Sequence, residues 1–389
     1  MDVEYLLGTE DVCAEPMTPY AEETVAFLAE WSGLLLSAPE ARIYPDVTTF
    51  AFWCRRANIM KLRDAAALEP YRLGRGLVFH IAPSNIPVNF AFSFAFGLLA
   101  GNANIVRIPS ADFPQARLLC DTCREALKAF PEIEKRTAWV RYPVNEEITA
   151  RFSRMADGRM IWGGDKTIAS VLAGGGKPRS ADVLFADRYS VCVLDGAAVE
   201  AAEDAAIQRL ARGFYNDTWL MDQNACSSPM LILWLNGSEA AKERFWNAAN
   251  AEAEAKYRLQ AASAVDKYVH LCEDGADGLP IRRAVRMGNM TYRIVLSALP
   301  EDITALRGRC GYFYEYDLAD LHELSPHITE KVQTVTYFGI EAETLRQWVV
   351  GDRLRGVDRI VPVGKAMDIN VIWDGYDIVR ALSRIVAAV

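Results

Sequence analysis

Gly74-Arg75-Gly76-Leu77-Val78-Phe79-His80-Ile81-Ala82-Pro83-Ser84-Asn85-Ile86-Pro87 starts in a glycine-flanked turn and runs through an apolar stretch to Ala82. It ends in a tight proline-bounded turn that exposes Asn85. A short continuous apolar run between turn signals is the pattern of a buried strand. The next residues, about Val88 to Ala100, read as an apolar helix, and Gly101-Asn102 ends it in the manner of a C-cap. A second strand is predicted from Ala103 to Ile108, closed by Pro109-Ser110. Strand, helix and strand in about thirty residues form a βαβ unit and hence a piece of parallel sheet. The predicted fold class is α/β with open, mostly parallel sheets. Asn85 stands where the first strand gives way to the helix, and such sheets gather their active sites at the carboxyl ends of strands.

A second informative stretch is Met221-Asp222-Gln223-Asn224-Ala225-Cys226-Ser227-Ser228-Pro229. Before it, Ile207, Leu210, Ala211 and Phe214 have the spacing of one helix face, and after it Met230 to Leu235 reads as a buried strand. A cysteine in the polar turn between them can face a cleft as a nucleophilic thiolate, or it can be a buried structural cysteine.

Together the two segments resemble the aldehyde dehydrogenase superfamily, in which a Pro-x-Asn-x-Pro turn supplies an oxyanion-hole amide and an Asn-x-Gly-Gln-x-Cys stretch supplies the nucleophile. Pro83-Ser84-Asn85-Ile86-Pro87 matches the first. Phe214-Tyr215-Asn216 and Gln223-Asn224-Ala225-Cys226 match the second, with a longer gap. Leu98-Leu99-Ala100-Gly101-Asn102 and Ile161-Trp162-Gly163-Gly164-Asp165 are similar to two further superfamily turns. A narrower resemblance spans nearly the whole chain. Phe79 to Pro87, Asp222 to Pro229, Lys331-Val332-Gln333-Thr334-Val335-Thr336 and Trp373-Asp374-Gly375-Tyr376-Asp377 resemble the acyl-CoA reductase (LuxC-type) family. That family is a divergent aldehyde dehydrogenase branch that reduces an activated acyl group to an aldehyde with NADPH.

This resemblance implies an aldehyde dehydrogenase-like pair of α/β domains and a set of roles. Cys226 takes the acyl group from a thioester. The Asn85 side chain and the Cys226 backbone N–H stabilise the oxyanion, and hydride reduces the acyl-cysteine. The donor is acyl-CoA or an acyl-carrier or acyl-protein thioester, and an acyl-protein synthetase is a possible partner, since the family works beside one in bioluminescence. Oxidising members of the superfamily carry a glutamate base that hydrolyses the acyl-enzyme. Phe185, in Leu184-Phe185-Ala186-Asp187-Arg188-Tyr189, stands in that place. Without a placed base, attack of water on the thioester loses a factor of roughly 10²–10⁴. The competing expectations are a cysteine acyltransferase without redox chemistry, an aldehyde dehydrogenase running oxidatively, and a subunit that keeps the fold without catalysis.

No Gly-x-Gly-x-x-Gly follows a strand, and Gly174-Gly175-Gly176-Lys177-Pro178 fails as a phosphate loop because proline follows the lysine. By resemblance, Trp162, Gly163 and Gly164 approach the pyrophosphate or nicotinamide of the cofactor, with Asp165 as the N-cap of the next helix. Arg107 is either a ligand of the 2′-phosphate of NADPH or an ordinary surface charge. Ala111 replaces the acidic residue that NAD-preferring members carry, which favours NADPH. Glu330 is placed by resemblance at the nicotinamide ribose. Cys120 and Cys123 form a lone Cys-x-x-Cys with no second pair or nearby histidine, so no metal site is expected. His80 is a core residue or a participant in the site. Phe90, Phe92, Phe94 and Phe96 either line an acyl tunnel or pack a core.

The chain has 389 residues and a net charge of −9, which disfavours nucleic acid and anionic membrane surfaces as partners. No disulfide spacing and no secretion signal are visible, so a cytoplasmic location is expected. The longest apolar run is too short for a membrane span of about 20 residues. The expected organisation is a cofactor-binding domain over residues 1–200, including strands near Met160 and Val191, and a catalytic domain over 201–362. Residues 363–389 would form a tail packed on the first domain or on a partner subunit, in a chain that resemblance makes a homo-oligomer.

Overall fold

The computed structural model describes residues 3–83 and 86–388, and the chain divides into two compact units. One comprises residues 1–186 with 370–389, the other 187–369.

Among the described residues, the first unit is built on a six-stranded sheet. In chain order its strands are β1 (Glu4–Leu7), then, after a short strand β2 (Arg72–Gly74) outside this sheet, β3 (Leu77–Ile81), β4 (Ala103–Arg107), β5 (Thr137–Arg141), β6 (Gly158–Trp162) and β7 (Ala181–Phe185). They lie in the order β1-β5-β4-β3-β6-β7. All neighbours are parallel except the β1–β5 edge pair. The chain steps outward from β3 through β4 to β5, then returns to the other side of β3 with β6. That reversal is the topological switch point at which open α/β sheets bind ligands.

The helix between β3 and β4 spans Asn89–Leu99, and every residue in it is buried. A helix apolar all round belongs inside a core. Its aromatic side chains confirm this: Phe90 and Phe94 meet Trp139 at 5.1 and 5.3 Å between ring centroids, and Phe92 meets Phe50 at 4.9 Å. Of the two readings of the phenylalanine series, the packed core is the one observed. Gly101 ends the helix at φ 87°, where a Cβ would lie 2.2 Å from the Met17 carbonyl oxygen, so only glycine fits.

Among the described residues, the second unit has a seven-stranded sheet. Its strands are β8 (Tyr189–Asp195), β9 (Pro229–Leu235), β10 (Ile281–Met287), β11 (Thr291–Leu296), β12 (Tyr312–Leu318), β13 (Val332–Phe338) and β14 (Arg359–Pro362). Their order is β10-β11-β12-β9-β8-β13-β14, parallel throughout except β10–β11. The strand near Val191 therefore belongs to the second sheet, not to the first domain as expected. It is buried on both faces over Tyr189–Leu194, and such a run looks the same in either parallel sheet.

Residues beyond 369 return to the first unit. Two short strands, β15 (Ile372–Trp373) and β16 (Tyr376–Asp377), are joined by Asp374-Gly375 at φ 55° and 75°. Two successive left-handed residues are what a two-residue hairpin turn requires. The last strand, β17 (Ser383–Ile385), pairs antiparallel with β2. The Trp373-Asp374-Gly375 motif is thus a turn, and Tyr376 beyond it meets Phe185 edge-on at 6.0 Å.

Candidate active site

The helix Asp204–Asp217 buries Ile207, Leu210, Ala211 and Phe214, the face read from the sequence. A 3-10 turn over Trp219–Met221 follows, and then Asp222 and Gln223 both adopt left-handed φ, 53° and 56°. Neither is glycine, so the loop needs outside support. Gln223 supplies it. Its buried carboxamide accepts from the backbone N–H groups of Gly311 (2.8 Å) and Tyr312 (3.2 Å). It donates to the carbonyls of Tyr312 (3.2 Å) and Pro229 (3.4 Å). These bonds staple the loop to the amino end of β12. The Ser228 N–H donates to the Ala225 carbonyl at 2.9 Å, which closes a turn over Cys226 and Ser227.

Cys226, partly exposed, stands in that turn, just before β9. The nucleophile candidate therefore lies at the amino edge of the second sheet. The Ser190 hydroxyl on β8 donates to the Cys226 carbonyl at 2.7 Å. The Gln333 Nε2 on β13 donates to the Cys226 Sγ at 3.6 Å. Arg359, first residue of β14, interacts electrostatically with Cys226, Asp217 and Asp368, and its guanidinium donates to the carbonyls of Ala366 (2.5 Å), Lys365 (2.8 Å) and Asp368 (2.7 Å). Those bonds hold the 363–368 loop, whose Met367 sulfur is 3.7 Å from the Ser227 hydroxyl. Asp217 holds the same loop by accepting from the N–H groups of Gly364 (2.6 Å) and Ala366 (3.0 Å), and burial pushes its carboxyl up to about 7.

The other cysteines give a useful contrast. Burial pushes the thiols of Cys120 and Cys192 up to about 12, and those of Cys54 and Cys123 well above the usual range. Buried thiols of that kind are inert. Cys120 and Cys123 lie inside the helix Pro114–Leu127, and among the described residues no group of three or more His, Cys, Asp or Glu is arranged so that it could hold a metal ion.

In the first unit, the carboxyl edge of the sheet holds the expected cofactor residues. Arg107 and Ile81 are register partners, as are Ile81 and Ile161, so Arg107 and Trp162 end neighbouring rows. The Arg107 guanidinium lies 4.6 Å over the Tyr142 ring, and its Nε is buried with no hydrogen-bond partner among the described residues. Trp162 is stacked on Phe185 at 3.7 Å, and its Nε1–H donates to Ser93 at 3.2 Å. The Gly163 N–H donates to the Phe185 carbonyl at 3.1 Å. The next helix is Asp165–Ala173, and its N-cap is Gly164, not Asp165 as expected. A glycine there has the extended backbone a cap needs, while Asp165 in the first turn complements the helix dipole. A Cβ on Gly164 would meet nothing within 4 Å.

His80 proves to be a core residue. Its ring nitrogens lie 2.8 Å from the Ser93 hydroxyl and 2.8 Å from Asn104 Oδ1, and burial lowers its pKa to about 4. Asn85 lies outside the described residues. Glu330, expected at the cofactor ribose, is exposed and paired with Arg355 at 3.2 Å. His322 and His327 bind separate partners, Asp352 and the Pro300 carbonyl.

Ser190, Asp217 and Arg359 were not singled out from the sequence, and Gln333 was quoted only as part of a motif. Asp217 did carry a signal, since an acidic residue at the last turn of a helix opposes the helix dipole.

The fold is that of the aldehyde dehydrogenase class. The chain superposes on 1-pyrroline-5-carboxylate dehydrogenase of Thermus thermophilus with a TM-score of 0.63 at 14% identity, covering 93% of this chain and 80% of that one. A NAD-dependent benzaldehyde dehydrogenase from Corynebacterium glutamicum gives 0.63 and 14%, with coverage of 95% and 85%. An NADP-dependent glyceraldehyde-3-phosphate dehydrogenase from Bacillus halodurans, complexed with NADP, gives 0.59 and 14%, with coverage of 93% and 85%. No individually curated protein sequence matches. Within this class the family is settled by the sequence itself: residues 69–388 match the model of the family described as Acyl-CoA reductase (LuxC), and the chain belongs to it. The family's reaction is the reduction of acyl-CoA to aldehyde. No helix among the described residues is long and apolar enough to cross a membrane.

Proposed function

We propose that the protein reduces an acyl thioester, from acyl-CoA or a carrier protein, to an aldehyde through an acyl-Cys226 intermediate. The observation that carries this reading is the setting of Cys226: partly exposed, on a loop fixed by Gln223, with the Gln333 amide at its sulfur. The Cys226 thiolate attacks the acyl carbonyl and a carbon–sulfur bond forms to Sγ. The thiolate of the donor leaves and is protonated by solvent. Thioester exchange suits a thiol because donor and acceptor have similar leaving-group character. The Asn85 side chain and the Cys226 backbone N–H stabilise the oxyanion of each tetrahedral state.

Arg107, Trp162, Gly163 and Gly164 at the carboxyl edge of the first sheet would hold a nicotinamide nucleotide, whose chemistry when bound would be hydride donation to an acyl carbon. Two features of this chain suit NADPH there. Among the described residues the Arg107 Nε has no hydrogen-bond partner, and the guanidinium would answer the charge of a 2′-phosphate. The helix start at Gly164, which has no side-chain cap and where an added Cβ would meet nothing within 4 Å, would receive the pyrophosphate. Trp162 contributes through its backbone, since its ring is already engaged, and Glu330 would exchange Arg355 for a ribose hydroxyl. When the reduced adduct collapses, the electron pair of the carbon–sulfur bond returns to Sγ and aldehyde leaves.

Hydrolysis is suppressed because Phe185 is a buried ring stacked on Trp162. The nearest carboxylate in sequence, Asp187, is committed to Arg307 at 2.8 Å. The test is mass spectrometry of the intact protein after incubation with a panel of acyl-CoAs, with and without NADPH. An adduct on Cys226 that disappears with NADPH while aldehyde accumulates is the expected result. An adduct that persists with NADPH would make the protein an acyltransferase.

A further inference from the structure

Gln333 is the second residue of β13, and the strand is irregular at that point. Val332 pairs with Tyr189 and Thr334 pairs with Ser190, so two steps on β13 match one step on β8. Gln333 is the extra residue. The β8–β9 ladder also shifts, between Ser190 and Val191, where Pro229 and Leu231 are their partners. Bulges release a residue from the ladder and re-aim its side chain, and they recur beside active sites. Here the released side chain is 1% exposed. Its Oε1 accepts from the Thr334 hydroxyl at 3.2 Å, which orients the carboxamide so that Nε2 points to the Cys226 sulfur at 3.6 Å. The carboxamide thus donates to a sulfur, which is a weak acceptor as a thiol and a strong one as a thiolate.

We infer that Gln333 is a positioning residue: the bulge in β13 aims its carboxamide N–H at Cys226 Sγ to hold the sulfur as a thiolate in one orientation. This rests on the proposed role of Cys226. The same N–H serves twice, steadying the thiolate before attack and again when the carbon–sulfur bond breaks. Among the described residues the Arg359 guanidinium interacts electrostatically with Cys226, and also with Asp217 and Asp368. Gln333 adds directionality that those charges lack.

The experiment is the pH dependence of iodoacetamide alkylation at the Cys226 peptide, followed by mass spectrometry in the full-length protein. Gln333→Met keeps the volume and removes the donor. Gln333→Asn keeps the amide but withdraws it by one methylene. In both, alkylation at pH 7 should slow about tenfold, with the midpoint moved to higher pH than in the wild type, as expected for losing a hydrogen bond to a charged group. Circular dichroism checks that each variant is folded, and either folded variant is sufficient. A wild-type profile in a folded variant overturns the inference. Acyl-adduct formation in the same proteins separates the two ideas. A shifted profile with no adduct in any of them leaves Gln333 in its role and removes the proposed function. An adduct with unshifted profiles does the reverse.

Discussion

His80 in the first unit and Gln333 in the second are both polar, both on parallel strands, and 0% and 1% exposed. Their surroundings differ in one respect. The His80 ring is enclosed between Ser93 and Asn104, and Asn104 Nδ2 in turn donates to the Asn102 carbonyl at 2.9 Å. That network runs on through Ser93 to the Met160 sulfur and the Trp162 indole, and Gly97 lets it pack tightly, since a Cβ there would lie 1.9 Å from Asn104 Oδ1. Gln333 reaches the partly exposed sulfur of a loop cysteine. A buried network without a reactive atom fixes a fold, whereas one that includes a reactive sulfur also prepares that atom for chemistry. The sharpest test of this distinction is Cys226→Ala. It should abolish acyl labelling and turnover while leaving the unfolding transition near its wild-type position. Turnover in that variant would remove the covalent mechanism.

The next effect in size concerns Asn85. Asn85→Ala should slow turnover by about two to three orders of magnitude, the usual cost of one oxyanion donor, and leave acyl-adduct formation detectable at long times. A rate within a few-fold of wild type would place the oxyanion elsewhere. Gln223→Leu should act on the fold. It leaves the N–H groups of Gly311 and Tyr312 without their acceptor and frees a loop that holds two left-handed residues. The expected loss is about 4 kcal/mol in urea unfolding. An unchanged midpoint would show that the loop is held by other means.

The sequence made the fold legible where hydrophobic runs and turn residues agree. The strands Leu77–Ile81 and Ala103–Arg107, the helix between them, and the face of Asp204–Asp217 were all readable that way. Cys226 was singled out because its loop and the Pro83-to-Pro87 turn far upstream together resemble one family's paired motifs, since a cysteine in such a turn taken alone reads equally as a structural one. The surrounding groups were not. Ser190, Gln333 and Arg359 stand at the first or second position of three different strands, and only the order of β9, β8, β13 and β14 in the sheet brings them to one edge. A bulge leaves no mark in a hydrophobic pattern, so the aim of Gln333 could not be read from Lys331-Val332-Gln333-Thr334. The role of Gln223 was hidden likewise, because its partners lie 88 and 89 residues away.

The smallest effects come from two groups that titrate in opposite senses. His80 is lowered from 6.5 to about 4 by burial. Between those values the unfolded chain binds a proton that the folded chain does not, so the contribution of His80 is present above pH 6.5 and is lost as pH falls toward 4. Its size is about 3 kcal/mol at most. Asp217 is raised from 3.8 to about 7. In that window the folded chain holds the extra proton, so this contribution is present at low pH and is lost as pH rises through 7. Urea midpoints measured across pH 4–8 should therefore slope upward with pH on account of His80 and downward on account of Asp217. His80→Leu should flatten the first slope and Asp217→Asn the second, each while the other persists. If His80→Leu lowers the midpoint equally at every pH, the imidazole is not the titrating group. The enclosed network of the first unit would then be less dry than its geometry implies.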